Sequence, residues 1–161
     1  MKNSLFLFAI ATSISLGAAA QSTDDKSAAF KTLVDSQNYV FQAQTAMPLR
    51  GGTRQLTTYY DLKVTKKAIV CDLPYYGRAY VAPINPSQNG LQFTSRDFTY
   101  TTTPRKNGGW DVVIKPKDYR DVQQMTLTIS TAGYTTLQVT NLNKDPISFN
   151  GVIVAPSSKK K

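Results

Sequence analysis

FTYTTTPRKNGGWDVVIK, residues 98–115, reads as two strands and the turn between them. Phe98, Tyr100 and Thr102 recur at every second position, Asn107-Gly108-Gly109 interrupts, and Trp110, Val112 and Ile114 resume the period. Successive side chains of a strand point to opposite faces, so this spacing gives each strand one apolar face. An amphipathic helix would instead need apolar residues three and four apart. Glycines after an asparagine supply the positive φ that a tight hairpin demands.

The alternation extends in both directions. Upstream, Tyr39, Phe41 and Ala43 share a face, then Tyr60, Leu62 and Val64, then Ile69, Cys71 and Leu73. Downstream, Met125, Leu127 and Ile129 form one set, Leu137 and Val139 another, and Ile147, Phe149, Gly151 and Ile153 the last. Turn signals separate the sets at Arg50-Gly51-Gly52, Thr65-Lys66-Lys67, Asn85-Pro86, Asn89-Gly90, Ala132-Gly133 and Asp145-Pro146. Short links favour antiparallel neighbours, and roughly nine or ten strands in about 115 residues favour a barrel or sandwich over parallel βαβ units. The spacing therefore predicts one all-β domain over residues 38–154. A single helix is predicted ahead of it, within 21–37, where Phe30, Leu33 and Val34 are helically spaced over Ser27–Ser36 and Asp24 and Asp25 are placed to cap the first turn.

The chain of 161 residues carries 19 Lys and Arg against 10 acidic residues, a formal charge of +9, and it lacks His. All ten acids are Asp. Without His or Glu there is no His-dependent triad, no His-containing zinc site and no paired-Glu glycosidase chemistry. Asp118 with Asp121 and Asp24 with Asp25 are formally paired carboxylates, but both pairs lie in polar, lysine- or arginine-bearing segments where they stay ionised. The hairpin glycines at 51–52 and 108–109 open no helix and precede no Lys-Ser/Thr, so they are not phosphate loops. No catalytic residue, metal site or cofactor is expected.

Residues 1–20, MKNSLFLFAIATSISLGAAA, have the basic start, apolar stretch and small residues of a cleavable secretory leader, with cleavage expected after Ala20. This predicts an exported protein, periplasmic or extracellular, with no transmembrane segment in the mature chain. Nucleic acid is not an expected partner for such a protein. A basic surface favours an anionic envelope component instead, such as a phospholipid headgroup, lipopolysaccharide or polyanionic glycan. Lys159, Lys160 and Lys161 close a basic tail at 155–161. Cys71, the lone cysteine, has no internal disulfide partner and no His to activate it, and reads as a small hydrophobe within a strand.

The densest motif is LPYYGRAYVAP, Leu73 to Pro83. Pro74 cannot donate to a ladder and Gly77 is free to turn, so Tyr75, Tyr76 and Tyr80 flank a corner with Arg78 among them. In a functional reading Arg78 holds an anionic group while the rings pack on an apolar ligand or sugar face. In a structural reading, which is preferred, Arg78 stacks on a ring and is tied to Asp72 or to backbone carbonyls.

This motif, with Tyr39-Val40-Phe41 leading to Met47-Pro48, the central Gly109-Trp110, the late Ala132-Gly133-Tyr134 and the closing Pro146 to Gly151, resembles domain of unknown function family 4251, small exported proteins of Gram-negative gut bacteria. The resemblance runs from about Phe30 to Ile153 and implies a flattened antiparallel β-barrel of lipocalin-like topology. It implies no reaction, cofactor or catalytic residue.

Two functions fit these observations. In the first, a barrel takes a small apolar or amphipathic ligand into an interior lined by Phe41, Tyr60, Tyr100, Trp110 and Phe149. In the second, the same aromatics fill the barrel as its core, and an edge or the tyrosine corner docks another envelope component.

Overall fold

Alternating apolar residues produce nine strands, and a helically spaced stretch one helix, in the computed structural model, which describes residues 18–80 and 90–157, with helix side chains described from Asp25 onward. Residues 1–17 of the expected leader, the turn residues Asn85, Pro86 and Asn89, Val81 to Pro83 of the motif, and Lys159–Lys161 lie outside this range, as does the side chain of Asp24. The elements are α1 (Ala18–Ser36), β1 (Tyr39–Pro48), β2 (Arg54–Val64), β3 (Ile69–Pro74), β4 (Gly90–Ser95), β5 (Phe98–Pro104), β6 (Trp110–Pro116), β7 (Val122–Ile129), β8 (Tyr134–Asn141) and β9 (Ile147–Val154). No described helix is long and apolar enough to cross a membrane.

All strands join one antiparallel sheet in the order β4-β3-β2-β1-β9-β8-β7-β6-β5. The first and last strands of the domain, β1 and β9, pair at its centre, with Val40 opposite Val154 and Pro48 opposite Ile147. One register line crosses seven strands through Pro104, Trp110, Ile129, Thr135, Gly151, Ala43 and Tyr60. The result is a nearly closed barrel, one of the two architectures the strand alternation allows and the one the family resemblance implies.

Closure is incomplete for a topological reason. Nine strands with only antiparallel neighbours leave the edge strands β4 and β5 running in the same direction. A parallel ladder between them would need a crossover of a dozen residues, and only Arg96 and Asp97 separate them. The chain therefore turns from one edge straight into the other. Asp118 fixes this corner: its carboxylate accepts from Ser95 Oγ at 2.5 Å, Arg96 N at 2.7 Å and Asp97 N at 3.2 Å. Those donors, the Ser95 hydroxyl first, hold the Asp118 carboxyl below its ordinary value. Phe93 and Tyr119 stack across the same corner with ring centres 4.3 Å apart.

The helix is longer than its apolar spacing predicts, because Ala18–Ala20 are strong helix formers and continue it toward the N-terminus. Asp24 and Asp25 consequently lie inside it and do not cap it. It ends at Gln37, whose φ is 51°, with Gln37 N bonded to Val34 O and Asn38 N to Leu33 O, the paired bonds of a Schellman stop. Val34 is fully buried against the barrel. Tyr100 gives its hydroxyl proton to the Val34 carbonyl at 3.1 Å, so in the Tyr39–Tyr100 contact at 3.3 Å it is Tyr39 that donates. Burial pushes the Tyr39 phenol well above its usual value, which keeps this relay neutral.

Candidate functional site

The residues singled out at Tyr75–Tyr80 follow β3, where Pro74 ends the ladder and the chain leaves the sheet. They dock on the loop between β8 and β9. Tyr80 N bonds to Asn143 O at 2.8 Å, Asp145 N to Arg78 O at 3.0 Å, and Ala79 forms an isolated bridge with Lys144. The Tyr75 hydroxyl sits between the carbonyl oxygens of Arg78 at 2.9 Å and Asp145 at 3.0 Å, donating to one at a time. Tyr80 donates to the Asp145 carboxylate, and Asn141 Nδ2 donates to the Asp145 carbonyl at 3.2 Å. Asp145, only 4% exposed, is thus the post to which the corner is tied.

These contacts set the phenols. Burial first, and the Asp145 charge second, push the Tyr75 hydroxyl up to about 12. The bond to Asp145 raises the Tyr80 phenol, partly opposed by the nearby Arg50 and Arg78 charges. Both hydroxyls therefore remain proton donors at neutral pH, the state the latch needs.

Arg78 does not play the part the structural reading gives it. Its carbonyl, rather than its guanidinium, is the tied group, and Asp72 accepts instead from Gln92 Nε2 at 2.9 Å. The stacked cation is Arg54, whose guanidinium lies 4.8 Å from the Tyr76 ring centre, and Lys144 lies 5.3 Å from that of Tyr75. The Arg78 side chain is exposed and enters no ion pair among the described residues.

Three apolar side chains stand around this corner with little cover. Leu49, after the β1 end, is 61% exposed; Leu142, in the β8–β9 loop, 54%; Tyr80, 66%. The charges of Arg50 and Arg78 act on the Tyr80 phenol, and Arg54 and Lys144 lie over the Tyr76 and Tyr75 rings of the same corner. Of the acids here, Asp145 is consumed by the latch, and Asp121, whose carbonyl receives Leu142 N at 2.9 Å, flanks the edge. This end of the barrel is basic with aliphatic tips.

The five expected interior residues are brought together, at different depths. Phe41 and Phe149 have no exposure, Trp110 is 8% exposed, and Tyr60 and Tyr100 pack on the same core while part-exposed. Cys71 is buried in that core, and burial first, then the charges of Asp72 and Asp61, drive its thiol far above the ordinary range. Such a thiol is not a nucleophile at neutral pH.

Comparison with known proteins settles kinship. The family model described as Domain of unknown function (DUF4251) matches residues 21–153. This chain belongs to the DUF4251 family. A crystal structure of a DUF4251 family protein from Bacteroides eggerthii DSM 20697 is similar at 20% identity and a TM-score of 0.57, covering 84% of this chain and 89% of that one. That likeness speaks to the fold alone. No curated protein matches the sequence. Within this DUF4251 chain, sequence reasoning located the tyrosine corner but missed its partners. Asp145-Pro146 carried only a turn signal, and nothing in the spacing links it to Tyr75, 70 residues earlier. Leu49 and Leu142, outside every alternating set, were the available signal for the exposed tips.

Proposed function

We propose that this protein is an exported, non-catalytic binding module whose barrel is solid and whose basic end docks on anionic lipid headgroups at a membrane surface of the envelope. The observation that carries the reading is the placement of exposed Leu49, Tyr80 and Leu142 among Arg50, Arg54, Arg78 and Lys144 at one end of the barrel. Aliphatic and aromatic tips enter the headgroup layer while cations meet phosphate, a combination that neither feature achieves alone. The latch to Asp145 supports it by holding the segment after β3 and the β8–β9 loop in one surface.

The filled interior favours this over a ligand inside the barrel. Phe41 and Phe149, expected to line a cavity, are enclosed by Leu62, Leu127, Leu137 and other buried side chains of one continuous cluster. Support for a non-catalytic role comes from the buried thiol of Cys71 and from Asp118 and Asp145, whose carboxylates are occupied as structural acceptors.

The test is sedimentation of the protein with vesicles of phosphatidylcholine, with and without phosphatidylglycerol. Binding is expected only to the anionic vesicles, falling as salt rises, and lost in the triple variant Arg50→Gln, Arg78→Gln, Lys144→Gln. Equal binding to both vesicle types, or to neither, overturns it. Capture by soluble polyanionic glycan with no vesicle binding would move the partner from lipid to glycan.

A further inference from the structure

A second surface lies on the outer face, away from the basic end. A shallow open depression of about 390 Å³ crosses β7, β8, β9 and β1, with Gln44, Arg105, Ser130, Tyr134, Thr136 and Asn150 among its walls. A backbone irregularity shapes it. The register of β1 slips between Ala43 and Thr45, where Gln44 is the extra residue of a bulge against β9, the device by which sheets re-aim a side chain, while on the other side the partners jump from Tyr60 to Gln55 of β2. Opposite Ala43 stands Gly151, whose backbone forms part of the depression.

The chemistry of the walls is neutral and hydrogen-bonding. Arg105 is the one cation lining it, and its Nε pairs with Asp111 Oδ2 at 3.5 Å, while Thr128 holds the other Asp111 oxygen at 2.8 Å. The charge is thereby balanced, with the terminal guanidinium nitrogens left as donors. Thr136 donates to Asn150 Oδ1 at 2.9 Å and fixes that amide. Ser130 Oγ is buried and has no hydrogen-bond partner among the described residues, although leaving such a group unpaired costs about 1–3 kcal/mol. Tyr134 is the most exposed large hydrophobic residue described, at 68%, and contributes a bare aromatic face to the rim.

We infer that this depression is a binding site for a neutral saccharide. A sugar ring presents an apolar C–H face for Tyr134 and a fan of hydroxyls for Gln44, Asn150, Arg105 and the unpaired Ser130. The volume matches a small ligand of about one or two sugar rings. An anionic ligand is disfavoured because Asp111 already neutralises Arg105, and a wholly apolar one because it would leave the amides of Gln44 and Asn150 and the Ser130 hydroxyl without partners. The site is independent of the lipid-facing end, which shares no residue with it.

The experiment is amide NMR of the folded protein titrated with free N-acetylglucosamine, galactose and mannose in the millimolar range. Saturable shifts confined to Gln44, Ser130, Tyr134, Thr136, Asn150 and Gly151 are expected with at least one of them. Tyr134→Ala, an exposed position that leaves the core intact, is expected to weaken that binding about tenfold, and Gln44→Ala to weaken it without moving the melting temperature. No shift at these amides with any of the three sugars overturns the inference, as does binding unchanged in both variants. Vesicle sedimentation of Tyr134→Ala, expected to match the wild type, keeps this result separate from the lipid reading.

Discussion

The α-carbon of Gly151 faces the carbonyl oxygen of Gln42 so closely that a Cβ there would lie 2.0 Å from it. The obstacle is the backbone of the central β1–β9 pair, which no rotamer change relieves, and the Phe41 ring stands 3.0 Å away on the same side. Gly151→Ala is therefore expected to destabilise the fold by about 3 kcal/mol, the upper end of overpacking costs. Urea denaturation followed by Trp110 fluorescence measures it. A loss below about 1 kcal/mol would mean that β1 moves aside freely and that this contact does not set the ladder.

Tyr75→Phe removes the hydroxyl that bridges Arg78 and Asp145 while keeping the ring. Loss of one hydrogen bond with its carbonyls still partly paired is expected to cost about 1 kcal/mol. Because the corner is a local unit, amide exchange should quicken at Tyr80 and Asp145 well before it changes at Leu127 in the core. Uniform acceleration across the barrel would show that the latch is not a separate unit.

The alternation of Trp110, Val112 and Ile114 and its counterparts made strand number, face and antiparallel sense legible, since burial of one face leaves a period of two in any sequence. The pairing of β1 with β9 was not legible, because nothing in Val40 or Val154 specifies a partner so far along the chain. The same limit hid the site. Tyr75 and Arg78 were visible as a motif, whereas Asp145 acquires its meaning only when the β8–β9 loop is folded against them. The start of α1 was misjudged because Ala18–Ala20 carry helix propensity without periodicity.

Phe30 anchors α1 by lying where Gly133 has no side chain; a Cβ on Gly133 would come within 2.5 Å of the Phe30 ring, and its φ of +84° disfavours any other residue. Gly133→Ala is expected to cost about 2 kcal/mol, part backbone strain and part displacement of the ring. In a Phe30→Ala background only the strain remains, so the cost should fall to about 1 kcal/mol. Thermal melts of the four proteins of this cycle decide it. Strict additivity would detach the helix contact from Gly133.

The Cys71 thiol, buried and with its ionisation strongly suppressed, should resist an aromatic disulfide reagent at neutral pH until the protein unfolds. Labelling is expected to track the urea transition seen by Trp110. Cys71→Ala should cost about 1–2 kcal/mol by leaving a small void, with Cys71→Val closer to neutral. Rapid labelling of the native protein would return the thiol to consideration as a reactive group.

Asp118 makes the stability of the β4–β5 corner depend on acid. Its folded carboxyl is held below the ordinary value by Ser95 and two backbone N–H groups, so the folded state favours the ionised form more than the unfolded chain does. The contribution is therefore complete above the unfolded carboxylate value and shrinks as pH falls from there through the lower folded value, where the proton displaces these bonds. Asp118→Ala should lower the urea midpoint clearly at about pH 7 and by progressively less toward about pH 2. Meanwhile the Phe93–Tyr119 stack, which does not titrate in this range, is expected to persist in the variant and keep the corner from opening fully. A midpoint difference that stays constant from neutral to acid pH would show that the side chain acts at this corner through packing, and that its carboxylate is not what holds Ser95, Arg96 and Asp97 in place.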